Sequence, residues 1–200
     1  MAWMDVTTHA AFEAMIAPFL TPSEAAMVNL AYRLAKYGHN GQLREDGTPY
    51  FDHPRAVTTI LLETGFTDPD VLVAGLLHDV VEDSFIVTFN DLAHIFGERA
   101  QQFIRLVTRE KNAPLEAYYA RLAAGPAEAI IVKLADRLHN LDTLGACARA
   151  KQIRKVDETR ALVLPLCECL AHDPRYAGAA AYLRLCIEER CAAFDQLLSA

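Results

Sequence analysis

The stretch GLLHDVVEDS, at residues 75–84, places four ionisable side chains among aliphatic ones. In a helix His78 would lie over Glu82, and Asp79 over Asp83, because residues four apart stack about one turn along the axis. Burying so much polarity is unfavourable unless something compensates for it. A divalent cation would do so, since imidazole nitrogen and carboxylate oxygen are ligands of manganese, iron and zinc. Taken alone, however, the pattern fits better a histidine paired with its neighbouring acid, so a metal site requires ligands from elsewhere.

Two other parts of the chain offer matching ligands. His53 stands just before Pro54, which starts a predicted helix, and a loop can aim a side chain inward at such a junction. Asp136 stands among leucines on the apolar side of a long predicted helix, where an acid is rarely left unpaired. With His78 and Asp79, these residues make up a candidate set of four metal ligands.

Three segments, REDGTPYFDHP, GLLHDVVEDS and VKLADRLHNL, carry a resemblance to a known family. Their order of His, His-Asp and Asp resembles the ligand arrangement of the HD superfamily of metal-dependent phosphohydrolases. Together the segments resemble the hydrolase domain of the Rel/SpoT alarmone enzymes over residues 25–144. The chain length resembles that of a stand-alone small alarmone hydrolase.

This resemblance implies an enzyme that hydrolyses the 3′-pyrophosphate of guanosine tetra- or pentaphosphate (ppGpp, pppGpp), releasing pyrophosphate and GDP or GTP. It implies one Mn²⁺ per site, with the ligands His53, His78, Asp79 and Asp136. Glu82 and Asp83 match the family's acid pair, which would orient or deprotonate the water and handle the proton of the leaving 3′-oxygen. Which of the two is the general base stays open. The metal identity rests on the resemblance alone, because His/Asp sites bind several divalent ions.

The same resemblance assigns three residues to the nucleotide. Arg44 corresponds to an arginine that packs on the guanine face, while Asn140 and Thr143 fit nucleoside-binding positions on the helix that contains Asp136. Glu45 departs from the family pattern, in which many members carry a second cation at that position. Two alternatives therefore stay open: an HD hydrolase of another phosphorylated nucleotide, such as an adenosine alarmone or a 2′-phosphorylated dinucleotide, or a non-catalytic alarmone-binding domain.

Other polar residues have less specific assignments. Four cations could supply positive charge to phosphates or serve as surface cations and salt-bridge partners: Lys133, Arg137, Lys151 and Arg154. Tyr50 is expected to pack the loop in which it lies. Four histidines are expected to be structural or exposed: His39, His94, His139 and His172.

Helix signals dominate the elements that must position these residues. Thr21-Pro22-Ser23-Glu24, for example, combines an N-cap, a proline at the first helical position and an acid at the third. The predicted helices cover residues 22–35, 54–64, 69 into the quoted stretch, 88–96, 98–109, 115–124, 127–144, 156–171 and 175–198. The main irregular segment lies at about 37–53, where residues 48–51 could form a short extended or hairpin piece. The expected fold is an all-α bundle with one irregular loop, as in the HD domain that the sequence resembles.

Length and charge limit the class of protein further. With 200 residues and 52% hydrophobic content, a single domain over 1–200 is expected, with core motifs at 25–144 and C-terminal helices at 152–199. A net charge of −7 argues against a nucleic-acid partner and leaves a small-molecule nucleotide. The apolar stretches are shorter than the ~20 residues of a membrane span, and no secretion signal is evident, so a cytoplasmic protein is expected. The oligomeric state and any pairing with a synthetase are left open.

Overall fold

The computed structural model of the protein describes residues 8–83, 86–110 and 112–199, and these form an all-α fold with no strand. Twelve α-helices follow one another in this part of the chain: α1 (His9–Ile16), α2 (Pro22–Gly38), α3 (Asp52–Glu63), α4 (Pro69–Leu77), α5 (Val80–Asp83), α6 (Phe89–Phe96), α7 (Glu98–Val107), α8 (Leu115–Ala123), α9 (Ala127–Asp142), α10 (Arg149–Glu158), α11 (Leu166–Leu170) and α12 (Ala177–Ser199). The predicted fold class is confirmed. None of these helices is long and apolar enough to cross a membrane.

Local capping sets the starts of several helices. Thr21 and Glu24 form a capping box at the start of α2, in which the Thr21 N–H donates to Glu24 Oε2 over 2.8 Å. Thr88 and Asp91 form the same arrangement at α6. Thr8 caps α1, a helix that the sequence pattern did not predict. These side chains satisfy groups that lack an intrahelical partner, which explains why the starts of α2 and α6 could be predicted locally.

Helix α9 packs against α3, α4, α7 and α12, and α4 also packs against α2, α3 and α7. A glycine permits the close approach of α4 to α3. A Cβ atom at Gly75 would lie 2.8 Å from both Leu61 Cδ1 and Thr58 Oγ1 of α3, which is closer than atoms in real structures approach. The tight contact brings the first turn of α3 next to the end of α4, where two predicted metal ligands lie.

The irregular loop is shorter than predicted and contains a hairpin. Helix α2 continues to residue 38 and α3 begins at residue 52, so both helices take up the ends of the segment predicted at 37–53. Between them Leu43 and Pro49 form an isolated antiparallel bridge. Gly47 makes the turn with a φ of +82°, a conformation that favours glycine. The hairpin gives a short loop a defined backbone, which can hold side chains in place.

The prediction of one helix over residues 156–171 is wrong. Helix α10 begins earlier, at Arg149, and a π-helical turn follows it at Thr159–Val163. The Leu164 N–H donates to the carbonyl oxygen of Thr159, five residues back, over 2.9 Å. Pro165 comes next and lacks an N–H group, so the hydrogen-bond ladder stops and α11 forms a separate short helix.

Candidate active site

Four side chains from three regions of the fold meet at one point. His53 is on the first turn of α3, His78 and Asp79 lie between α4 and α5, and Asp136 is in α9. The Nε2 atoms of His53 and His78 are 3.1 Å apart. Asp136 Oδ1 is 3.1 Å from the first of these nitrogens and 3.7 Å from the second. Asp79 Oδ2 is 3.5 Å and 3.3 Å from the same two atoms. The structure therefore brings all four predicted metal ligands together.

The helix predicted through residues 75–84 is interrupted at His78 and Asp79, so the prediction of a continuous helix there is wrong. Side chains bond to the backbone at the interruption. His78 Nδ1 lies 2.8 Å from the carbonyl oxygen of Gly75, and Thr108 Oγ1 lies 3.1 Å from the carbonyl oxygen of His78 and 2.8 Å from that of Ile104. Successive residues of a regular helix point about 100° apart. The interruption allows the two neighbouring side chains to face His53 together.

Hydrogen bonds orient both imidazoles. A carbonyl oxygen can only accept, so Nδ1 of His78 carries a proton beside Gly75, and Nε2 is the ring nitrogen that faces the centre. Nδ1 of His53 is 2.8 Å from Nδ1 of His139, so one ring donates to the other. Both rings therefore turn Nε2 towards the carboxylates.

Two residues near Asp136 on α9 donate hydrogen bonds to its carboxylate. Lys133 Nζ donates to its Oδ2 over 2.8 Å, and Asn140 Nδ2 donates to its Oδ1 over 2.5 Å. His139, which contacts His53, follows Asp136 by three residues. The expectation that His139 is only structural or exposed misses this contact. The spacing of three residues between Asp136 and His139 could have indicated that both face the same centre, because residues three and four apart share one side of a helix.

Burial is the largest influence on the pKa values at this centre. It lowers the pKa of His53, and it also opposes protonation of His78, but the charge of Asp79 and a hydrogen bond with Asp136 outweigh it there and raise the pKa of His78 to about 10. Burial raises the pKa of both carboxyls, whereas neighbouring cations outweigh it and hold each below its usual value. Burial, followed by the charge of His53, lowers the pKa of His139 to about 3. Both carboxylates are therefore ionised at neutral pH.

The donor set fits a divalent cation. His53, His78 and Asp79 each offer a ligand atom within 4.8 Å of the others, and Asp136 adds a fourth oxygen facing both imidazoles. Positive charge on His78 and Lys133 offsets the two ionised carboxylates, and a divalent cation bound among the ligand atoms would replace the proton on His78 in that role. Mixed nitrogen and oxygen ligation suits several divalent metals and leaves a coordination position for water.

A cavity of about 220 Å³, which we call the basic cavity, opens beside these residues. Asp79 and Glu82 line it on the side of the proposed metal ligands. Its other polar lining residues are Arg109, Tyr118, Tyr119, Lys133, Arg137, Asn140, Lys155 and Glu158. Because one of its three acids belongs to the candidate metal centre, the four cations dominate the rest of the lining. Such a cavity suits an anionic group.

Two cations that line the basic cavity, Arg137 and Lys155, belong to a buried network of hydrogen bonds around Glu158. Arg137 Nη2 lies 2.5 Å from Glu158 Oε1 and donates to the Tyr119 hydroxyl over 2.9 Å. Lys155 Nζ donates to the other Glu158 oxygen over 2.9 Å. Burial raises the pKa of Glu158, but the charge of Arg137 and the hydrogen bond from Lys155 outweigh it and lower the pKa to about 2. Arg137 is 4% exposed, so the salt-bridge role considered for it is confirmed.

A second cavity of about 240 Å³, the loop cavity, lies between the hairpin and the end of α9. Arg44 Nη2 donates to Asn140 Oδ1 and to Thr143 Oγ1, each over 2.9 Å. The three residues predicted to contact the nucleotide are therefore neighbours in the lining. Lys151 Nζ donates to Glu45 Oε1 over 2.7 Å in the same lining. Asn140 also lines the basic cavity, so the two cavities share this side chain.

The remaining predicted residues are less informative. Glu82 is exposed on α5 and lines the basic cavity beside Asp79. The side chain of Asp83 lies outside the described residues, so its part in catalysis stays a prediction. His94 and His172, which were assigned to structure or surface, are exposed, and so is Arg154, whose role was left open.

Comparison with known proteins shows to which family the chain belongs. The profile of the HD domain family matches residues 31–170. A GTP pyrophosphokinase of Streptomyces coelicolor is 39% identical over 158 residues, which are 74% of this chain and 18% of that protein. The bifunctional (p)ppGpp synthase/hydrolase SpoT of Escherichia coli K12 is 34% identical over 162 residues, which are 76% of this chain and 23% of that protein. The chain therefore spans only a minor part of the length of these curated relatives.

A solved structure, described as a metazoan ortholog of SpoT that hydrolyzes ppGpp, is similar over 82% of this chain and 93% of its own, with a TM-score of 0.69 and 29% sequence identity. The segments with the four proposed metal ligands all lie inside the matched HD-domain region. The chain belongs to the HD domain family.

Proposed function

We propose that this chain is a metal-dependent pyrophosphohydrolase that removes the 3′-diphosphate of ppGpp and pppGpp, yielding pyrophosphate and GDP or GTP. The observation that carries the proposal is the meeting of two imidazoles and two carboxylates beside a cavity lined with cations. Named relatives support the choice of substrate, since one is a guanosine-3′,5′-bis(diphosphate) 3′-pyrophosphohydrolase of Escherichia coli O157:H7 and the similar solved structure hydrolyzes ppGpp. We propose a cytoplasmic location for this activity.

His53, His78, Asp79 and Asp136 would hold the metal, which we propose to be one Mn²⁺. When bound there, the ion would polarise a phosphoryl oxygen and lower the pKa of a water molecule. The donor set itself suits several divalent ions, and the choice of manganese rests on the resemblance to the Rel/SpoT hydrolase domain.

The basic cavity is the proposed position of the diphosphate. Lys133, Arg137 and Lys155 would offset its charge, and charge-assisted hydrogen bonds to phosphate oxygens are stronger than neutral ones. Glu158 already holds the Arg137 guanidinium in place, so this group needs little reorientation when the diphosphate binds.

In the proposed reaction, a water oxygen bonds to the phosphorus attached to the 3′-oxygen, and the bond between that phosphorus and the 3′-oxygen breaks. The proton lost by the water ends on the 3′-oxygen of the departing nucleotide. Glu82 lines the basic cavity beside Asp79, where a carboxylate can take the proton and return it. Asp83, which follows it in the chain, is proposed for the same task.

The loop cavity is the proposed position of the nucleoside. Asn140 and Thr143 hold the Arg44 guanidinium in its lining, and a planar cation packs well on the face of a purine. The two hydrogen bonds reduce the freedom of a long side chain before the ligand binds, which favours affinity.

The test is incubation of the purified protein with Mn²⁺ and ppGpp, with pyrophosphate and GDP measured. Release of both products in equal amounts supports the proposal. If pyrophosphate is not released while another nucleotide is turned over, the substrate is wrong. If ppGpp binds and no nucleotide is turned over, the chain is an alarmone-binding domain and not an enzyme.

A second candidate is hydrolysis of another phosphorylated nucleotide, such as an adenosine alarmone or a 2′-phosphorylated dinucleotide. The observation that favours it is the pairing of Glu45 with Lys151, which neutralises a cation in the lining of the loop cavity. Ranking ppGpp, pppGpp and these analogues by kcat/KM separates the candidates, because that ratio measures differential binding of transition states.

A further inference from the structure

Tyr50 joins the hairpin to the candidate metal centre. Its hydroxyl donates to Asp79 Oδ2 over 2.9 Å. This is the same oxygen that lies 3.5 Å from His53 Nε2 and 3.3 Å from His78 Nε2. A carboxylate oxygen has room for two partners, so the tyrosine hydroxyl can fix it and still leave a lone pair for the centre.

The ring of Tyr50 is held from several directions. His39 stacks on it with ring centroids 4.6 Å apart and planes 24° apart. The Arg44 guanidinium carbon lies 5.7 Å from the ring centroid, and the His53 ring meets it edge-on at 6.2 Å. His39 is buried, and its Nδ1 bonds to Gln42 Oε1 over 2.8 Å, so the stacking partner is itself fixed. The hydroxyl therefore has little freedom to point elsewhere.

The backbone places the ring through the hairpin. The Tyr50 N–H donates to the carbonyl oxygen of Gln42 over 2.9 Å, and the Arg44 N–H donates to the carbonyl oxygen of Thr48 over 2.9 Å. Tyr50 also precedes His53 by three residues, so the ring enters the site beside the first ligand of α3. The hairpin and the first turn of α3 together determine the position of the Tyr50 hydroxyl.

We propose that Tyr50 is a positioning residue that holds Asp79 in the orientation required for binding a divalent metal. Packing of the loop, the role expected from the sequence, needs only the ring. The hydroxyl, in contrast, donates a hydrogen bond to a carboxylate that the proposed function requires as a metal ligand. Groups that bond to metal ligands in this way typically change metal affinity or activity by 10–100-fold when removed. The inference rests on the metal centre of the proposed function.

The test is the Tyr50→Phe variant, which keeps the stacked ring and removes only the hydroxyl. We expect the dissociation constant for Mn²⁺, measured by competition with a fluorescent chelator, to rise about tenfold. The melting temperature of the metal-free variant should stay within about 2 °C of the wild-type value, a difference below that of a 1 kcal/mol change. The control is Tyr37→Phe, because Tyr37 is 71% exposed and lies outside the linings of the basic cavity and the loop cavity.

Three outcomes would overturn this inference: an unchanged Mn²⁺ affinity, an equal loss of affinity in Tyr37→Phe, or weaker binding accompanied by a lower melting temperature of the metal-free form. The third would show that the hydroxyl acts through the stability of the loop. The measurement also separates this inference from the proposed function. If the wild-type protein binds no divalent metal, the proposed function fails, whereas normal binding in both wild type and Tyr50→Phe overturns only the role of Tyr50.

Discussion

The close approach of α3 and α4 at Gly75 offers the sharpest test of how the fold builds the metal centre. In Gly75→Ala, the new Cβ would lie 2.8 Å from Leu61 Cδ1 and from Thr58 Oγ1. Leu61 and Thr58 are both fully buried, and the Thr58 hydroxyl donates to the carbonyl oxygen of Pro54 over 2.9 Å. Neither side chain can turn away without disturbing the core or the first turn of α3, so we expect the two helices to separate.

The size of the effect follows from these distances. Ordinary contacts begin at 3.4 Å, so a relief of about 0.6 Å is needed. Metal–ligand distances tolerate changes of only about 0.2 Å, and His53 moves with α3. Overpacking costs about 1–3 kcal/mol, while alanine gains ~1 kcal/mol over glycine in a helix. We therefore expect a loss of up to about 2 kcal/mol in the free energy of unfolding, and a Mn²⁺ affinity at least about tenfold weaker.

Urea unfolding with and without Mn²⁺ measures both quantities. Gly178→Ala is the matched control, because Gly178 lies in α12 with open space around its Cβ position, and this variant should be neutral or slightly more stable. If Gly75→Ala bound Mn²⁺ like the wild type and were no less stable, the close helix contact would not be what positions His53 and His78.

Three further predictions concern the charged groups. Glu158→Gln removes the acid beside buried Arg137, so the free energy of unfolding should fall by about 3 kcal/mol in urea, and a loss below about 1 kcal/mol would contradict this. The pKa of Glu158 is lowered from 4.5 to about 2, so its stabilisation is complete above pH 4.5 and is lost as the pH falls towards 2. The melting temperature of the wild type should therefore drop more steeply over that range than that of Glu158→Gln, and parallel curves would refute the assignment. Asp79→Ala should lose Mn²⁺ binding and ppGpp turnover together, whereas Glu82→Ala should keep the metal and lose turnover; full activity in both would rule out the proposed site.

The starts of α2 and α6 could be predicted from the sequence because they are set locally. The capping boxes of α2 and α6 involve residues three apart, so their hydrogen bonds depend on little beyond the segment itself. The interruption at His78 could not be found in this way. One of the contacts there comes from Thr108, thirty residues further on, whose hydroxyl lies 3.1 Å from the carbonyl oxygen of His78. The break after the π-helical turn is different, because Pro165 marks it in the sequence itself.

The sequence alone singled out His53, His78, Asp79 and Asp136 as candidate metal ligands, because burying such groups without a compensating partner is unfavourable wherever they lie. The amphipathic periods and caps also determined the all-α class, since both arise from contacts within one segment. Only the tertiary structure decided that the four ligand atoms meet, that Tyr50 and His139 touch them, and that Arg44 bonds to Asn140 and Thr143. These contacts join residues far apart in the chain, and their distances depend on how closely α3, α4 and α9 pack, which no local pattern specifies.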